Sequence, residues 1–324
     1  MEINFEKSPN LALIFELDLN VKRIIQEIEI HFNTEISETT LLFFDEIQNC
    51  PKAIMALRYF YEDMPQIPVI AAGSLLEFVL QNIPFPVGRV EQLEMYPMSF
   101  EEFLQAQGTE ILIKKINEPI QVLSETIESK IYQELLNYFW VGGMPECVHY
   151  FVGNKNYIGV RKIQDDLFYT YTQDFAKYNP IVNKDCLMDI FNKIPASIGN
   201  QIIYSKLSER FSGPTIKKGV EVLSLAKIIK PIENVSVARL PFSVSGKQFK
   251  LQFLDIGLLL AISKVSYENL FAQKNLNVLF SGSWAEQFAA QQLVCNHSKT
   301  LKYWARTNKN SNAEVDYVIE IMPK

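Results

Sequence analysis

Thr40-Leu-Leu-Phe-Phe-Asp45-Glu46 is an unbroken apolar run that ends in two acids. It is too short for a helix and shows no polar alternation, the pattern of a strand buried on both faces. Upstream, Val21, Ile24, Ile25, Ile28 and Phe32 recur at helical spacing and predict an amphipathic helix over 19–33. Downstream, Ile54, Leu57, Phe60 and Tyr61 predict a helix that starts near Pro51. Val69-Ile-Ala-Ala72 then repeats the buried-strand pattern and runs into Gly73-Ser74, while Met1–Phe5 reads as a further short strand. Strand, helix, strand with apolar strands implies a parallel α/β sheet with right-handed crossovers.

The middle of the chain is helical in its spacing. Ile131, Leu135, Leu136 and Phe139 predict one helix, and Val160, Ile163, Leu167 and Tyr171 another. Leu187, Ile190, Phe191 and Ile194 predict a third, stopped by Pro195. Tyr204, Leu207 and Phe211, then Ser212-Gly213-Pro214, then Ile216, Val220 and Leu223 have the layout of a helix-turn-helix. Alternation over Lys247–Phe253 suits a wing. A helix over Trp284–Leu293 and strands at Leu301–Trp304 and Glu314–Ile319 close the pattern. Trp140, Gly142 and Gly143 are expected to shape a tight turn after a helix.

Composition limits the alternatives. The 324 residues are 48% hydrophobic and 12% aromatic with a formal net charge of −6, which excludes general disorder. No apolar run approaches the ~20 residues of a membrane span. The start, MEINFEKSPN, has neither the basic end nor the apolar stretch of a signal peptide, so a cytoplasmic protein is expected. Cys50, Cys147, Cys186 and Cys295 lie far apart and read as reduced, mostly buried thiols. His31, His149 and His297 share no zinc-ligand spacing.

Charge is unevenly placed. Residues 1–110 carry 6 Lys+Arg against 18 Asp+Glu, a net −12, whereas residues 201–250 carry 9 against 3, a net +6. The acidic part repels nucleic acid. The basic part, with Lys206, Arg210, Lys217, Lys218, Lys227 and Lys230, is either a phosphate-facing surface or a solvated face whose lysines aid solubility.

Asp45 and Glu46 carry the sharpest chemistry. Ligands of parallel sheets bind at the carboxyl edge of the strands, where these acids sit. In nucleotide hydrolases of this layout one acid holds magnesium and the next polarises water. Ser74, on the neighbouring strand, is a small polar group suited to the attacking water or terminal phosphate. Structural aspartates also end buried strands, so the pair alone leaves both readings open.

Seven stretches taken in order carry a resemblance. They are LLFFDEIQNCPKAIMALRYFYEDMPQIPVIAAGSLLEF (41–78), FPVGRVEQLEMYPMSFEEFL (85–104), YFWVGGMPECVHYF (138–151), DDLFYTYTQDFAKY (165–178), FKLQFLDIGLLL (249–260), GSWAEQFAAQQL (282–293) and SNAEVDYVIE (311–320). Together they resemble bacterial and archaeal AAA-type ATPases with a C-terminal domain of unknown function. The resemblance implies an α/β protein: an ATPase core over 1–108, a helical and winged-helix region over 109–275, and a PD-(D/E)xK nuclease-like portion over 276–324. It implies ATP and magnesium as cofactors, Asp45 and Glu46 as Walker B acids, Ser74 as the sensor-strand residue, and Arg89 as a further arginine of the site. It matches Glu286 and Asp316 to two nuclease acids.

Two family features are missing from the sequence. It holds no GxxxxGK[ST], the loop that cradles phosphates, and INFEKSPN resembles the strand that follows that loop. The E-x-K that follows the nuclease Asp is also missing, the chain ending at Met322-Pro-Lys324. The expectation is a chain truncated at both ends relative to the family, inactive alone as an ATPase. The alternatives are a non-enzymatic winged-helix module binding DNA, through Lys217 and Lys218, or a protein partner, and the product of a decayed gene. No membrane partner is expected.

Overall fold

A computed structural model of the chain describes residues 1–73, 88–119, 122–178, 181–236, 242–272, 282–297, 300–306 and 313–319. The fold is mixed α/β, as the spacing predicts, and separates into residues 1–94 and 95–324. Among the described residues no helix is long and apolar enough to cross a membrane.

In residues 1–94, β1 (Glu2–Asn4), β2 (Leu42–Asp45) and β3 (Val69–Ala71) form a parallel sheet in the order β1-β2-β3. Helices α1 (Val21–Phe32) and α2 (Pro51–Asp63) follow β1 and β2. Asn20 caps α1 by accepting from the Arg23 amide, and Asn33 ends it in the left-handed region. Pro51 opens α2, where its missing N–H costs nothing. Ile3, Leu42 and Phe44 face the core with Ile24, Ile28, Ile54 and Phe60. Phe44 packs edge-to-face on Phe5, Phe15 and Phe60 at 5.7–6.0 Å between ring centroids.

Among the described residues, the strands are covered on one face only. Leu42 and Phe44 are fully buried, but Phe43 is half-buried and Ile70 is 51% exposed. Register explains the split: Glu2, Phe43 and Ile70 lie side by side on the sheet face opposite the core. A continuous apolar run therefore marks a strand covered on one face here, with apolar side chains left on the other.

Residues 95–324 begin with α3 (Phe100–Ala106), α4 (Glu110–Ile116), α5 (Glu125–Val141), α6 (Pro145–Asn154), α7 (Tyr157–Asp174) and α8 (Lys184–Ser197). Pro195 does not stop α8, because losing one donor in the last turn leaves the Ile198 N–H to Ile194 O bond intact at 3.1 Å. The first helix expected of the helix-turn-helix is only a 3₁₀ turn, Tyr204–Lys206. Ser208 and Arg210 instead donate to Asp189 of α8, and the Arg210 amide donates to Ser208 Oγ. Helix α9 (Gly213–Leu225), capped by Ser212, packs on α8.

Next come β4 (Ile229–Ser236) and β5 (Ser243–Phe253), an antiparallel pair, followed by α10 (Ile256–Ile262) and α11 (Tyr267–Phe271). Helix α12 (Ser283–His297), β6 (Lys302–Ala305) and β7 (Glu314–Val318) complete the chain. β6 pairs parallel to β4, giving one sheet of order β5-β4-β6-β7. The sheet thus joins segments about 70 residues apart, and α12 packs Ala290 and Val294 on Ile232 and Tyr303.

Asp255 has no solvent exposure and sits where β5 meets α10. Its carboxylate accepts from the amides of Gly143 (2.7 Å) and Leu258 (3.0 Å) and from Gln291 Nε2 (2.9 Å). Burial raises its pKa, while these donors pull the other way. Two glycines make room. A Cβ on Gly142, whose φ is +74°, would lie 2.0 Å from Asp255 Oδ1, and one on Gly257 would lie 2.5 Å from the Gly142 nitrogen. From α12, Gln287 both donates to and accepts from the backbone of Phe253, at 2.8 Å each. Gln291 accepts from the Ile256 amide at 2.8 Å.

Asp255→Asn puts an NH₂ among donors and should lower stability by about 3 kcal/mol in urea unfolding. Gly142→Ala should cost at least as much. A loss below about 1 kcal/mol for both would contradict this role for Asp255.

Candidate functional sites

At the carboxyl edge of the three-stranded sheet, register places Asn4 opposite Asp45. Asn4 Oδ1 accepts from the Glu6 and Lys7 amides, which fixes its Nδ2 toward Asp45 Oδ2 at 2.7 Å. Asp45 Oδ1 accepts from the Glu46 amide at 3.0 Å. The carboxylate is thus held in place, half-buried, with lone pairs left for a hard cation.

Glu46 turns the chain sharply. Its φ of 51° and ψ of 43° lie in the left-handed region, which costs a non-glycine residue roughly 1 kcal/mol. Ile47 N–H then bonds Ala72 O at 3.0 Å, tying this turn to the end of β3. The Glu46 carboxylate accepts from Gln48 Nε2. A glutamate kept where glycine would be easier is the kind of strain that gathers at functional sites.

Ser74 lies outside the described residues. Arg89 is exposed, and the structure does not bring it to the acids: its Nε donates to Glu62 at 3.0 Å. Glu62 is the penultimate residue of α2, a 13-residue helix that starts near the acids and carries its far end about 20 Å away. Arg58 also bonds Glu62, and Arg89 lies over the Tyr61 ring at 5.8 Å.

In residues 95–324, Lys217 and Lys218 are exposed on α9, with Lys217 3.9 Å from Glu221. Arg210 is engaged by Asp189. The four cysteines are free; three are buried, and burial pushes the Cys147 thiol up to about 12.

Glu286 and Asp316 both reach Lys250, a residue that no motif in the sequence marks. Lys250 Nζ on β5 lies 2.8 Å from Glu286 on α12 and 2.6 and 2.9 Å from Glu314 and Asp316 on β7. Burial opposes the ammonium charge, but these hydrogen bonds outweigh it and hold Lys250 above the ordinary lysine range. Burial, with the like charges of Asp316 and Glu314, raises Glu286 despite Lys250. Glu314 also accepts from Gln201 at 2.9 Å. In Phe249-Lys-Leu-Gln-Phe253 the polar residues alternate as on a solvent-facing side, so nothing local signals that Lys250 and Gln252 are buried. The signal is in α12, whose Gln287 and Gln291 share a face at i and i+4 and bond the end of β5 and the residue that opens α10, while the neighbouring Glu286 bonds Lys250.

Residues 1–104 match the family described as an AAA domain, and residues 132–269 match one described as a domain of unknown function (DUF8612). No curated protein and no solved structure matches. The N-terminal region is thus AAA-type ATPase-like.

Because Glu46 is strained, Glu46→Gly should leave folding intact and raise stability by up to about 1 kcal/mol, less the lost Gln48 contact. A clear loss of stability in urea unfolding would show that Glu46 is kept for structure.

Proposed function

We propose that residues 1–94 supply the magnesium- and water-binding half of an AAA-type ATP site, whose phosphate-binding loop comes from outside these 324 residues. The observation that carries it is the pair at the end of β2: an oriented Asp45 and a Glu46 held in a strained turn, at the edge where parallel sheets bind ligands. Asp45, an oxygen donor fixed by Asn4, suits magnesium. When bound, that ion neutralises phosphate charge. Glu46 orients and polarises the attacking water. Ser74 follows the strand that Ile47 and Ala72 tie to this turn, and is assigned the phosphate-sensing role by resemblance. Arg89 joins the site only if it leaves Glu62.

Most triphosphate affinity in such sites comes from the loop's backbone donors, its lysine and the following helix dipole. None of these motif residues occurs in the sequence, and the acidic first third repels an anionic ligand. A second reading, DNA or protein contact through α9, is favoured by the exposed Lys217 and Lys218 within the basic segment. Lys217→Glu with Lys218→Glu would then flatten the log–log salt dependence of duplex binding by about 0.9 per lost phosphate contact.

Calorimetry should detect no MgATP binding to this chain at sub-millimolar concentration, and no hydrolysis. A peptide or partner carrying a phosphate loop should restore both, with turnover lost in Glu46→Gln. Micromolar binding by the chain alone would refute the half-site; restored turnover that survives Glu46→Gln would refute the role of Glu46.

A further inference from the structure

Two buried polar atoms on helix α7 have no hydrogen-bond partner among the described residues: Arg161 Nη1 and Gln164 Oε1. They belong to side chains three residues apart, which leave one face of the helix with Cβ atoms about 5–6 Å apart. Both side chains also converge on Trp140, near the end of α5. The Arg161 guanidinium carbon lies 4.0 Å from the centre of the indole ring, and Gln164 Nε2 donates to Trp140 O at 2.8 Å.

Buried polar atoms are rarely left unpaired, and a charged donor is the costliest to leave so. These two are complementary, since Nη1 is a donor and Oε1 an acceptor. Yet neither side chain is free to swing to the other. Gln164 is fully buried, and its Nε2 also donates to Val141 O at 3.1 Å. Turning the amide over would set Oε1 against two carbonyl oxygens. Arg161 is held on the indole, with Nη2 donating to Val265 O at 3.4 Å. Trp140 is fixed in turn: its Nε1 donates to Tyr157 O at 3.0 Å, and the rings of Tyr267 and Phe271 meet it edge-on.

A bridging group must therefore accept from the guanidinium and donate to the amide oxygen. Because both atoms are buried, it must also be small and enclosed. Water meets both demands, and internal waters bind such groups. We propose that Arg161 and Gln164 hold one internal water between them, which accepts from Nη1 and donates to Oε1. The two carbonyls that Gln164 holds precede Gly142 and Gly143, where Asp255 is seated. The water thus belongs to the frame around Asp255, and it escapes only when α7 parts from that turn.

Two measurements on the full chain test this. A crystal structure that resolves ordered water should show one within about 3 Å of both Arg161 Nη1 and Gln164 Oε1. In solution, oxygen-17 magnetic relaxation dispersion should count one long-lived water fewer in Arg161→Met, and in Gln164→Met, than in wild type. Lys162→Met, an exposed neighbour on α7, should leave the count unchanged. Should the variants fail to fold, the wild-type crystal structure decides alone. A direct bond between Arg161 and Gln164, a different occupant between them, or a count unchanged in Arg161→Met would each overturn the proposal.

Discussion

Asp255 is fully buried, and among the described residues it is held by backbone amides and one glutamine. A buried carboxylate is tolerable only with such saturation, so each donor must be in place at once. The donors come from three places in the chain: the turn after α5, the first turn of α10, and α12. Through them one side chain fixes how far α5 and α10 can separate, and seats α12 on the end of β5. Tyr138 extends the network, donating to Met98 O at 2.6 Å and accepting from Gln291 at 3.0 Å. The constraint therefore reaches residues 98 and 291, nearly the whole span of the second unit.

The two units use carboxylates in opposite ways. Around Asp255 every oxygen is engaged by neutral donors, which leaves nothing for a ligand and makes the group structural. At the end of β2, Asp45 accepts one hydrogen bond on each oxygen, from Asn4 and the Glu46 amide, and stays half-buried, and Glu46 occupies a backbone region that stability alone would give to glycine. The Lys250 cluster stands between these cases, since its acids are satisfied in part and its surplus charge opens toward solvent through Asp316.

The parallel sheet was readable because β2 and β3 are short apolar runs and α1 and α2 keep helical spacing around them. Their one-sided burial was not, because Phe43 and Ile70 are apolar on the open face, and burial is decided by what packs there. Pro195 and Tyr204–Phe211 misled for a local reason: spacing cannot show that α8 survives a proline in its last turn, or that Ser208 and Arg210 bond Asp189. Asp45 and Glu46 were legible as a motif. Arg89 was matched by resemblance, yet pairs with Glu62. Lys250 was hidden because its strand alternates like a surface strand, and the helix that covers the polar face begins 33 residues later.

Amide hydrogen exchange tests most directly the claim that one buried carboxylate organises residues 95–324. The amides of Gly143, Phe253, Ile256 and Leu258 all donate to buried side chains of this network. They should exchange with one common free energy, equal to that of global unfolding of the second unit. Exchange of Gly143 or Leu258 by separate, smaller openings, with the other amides still protected, would mean that the network is a set of local contacts and would contradict the account.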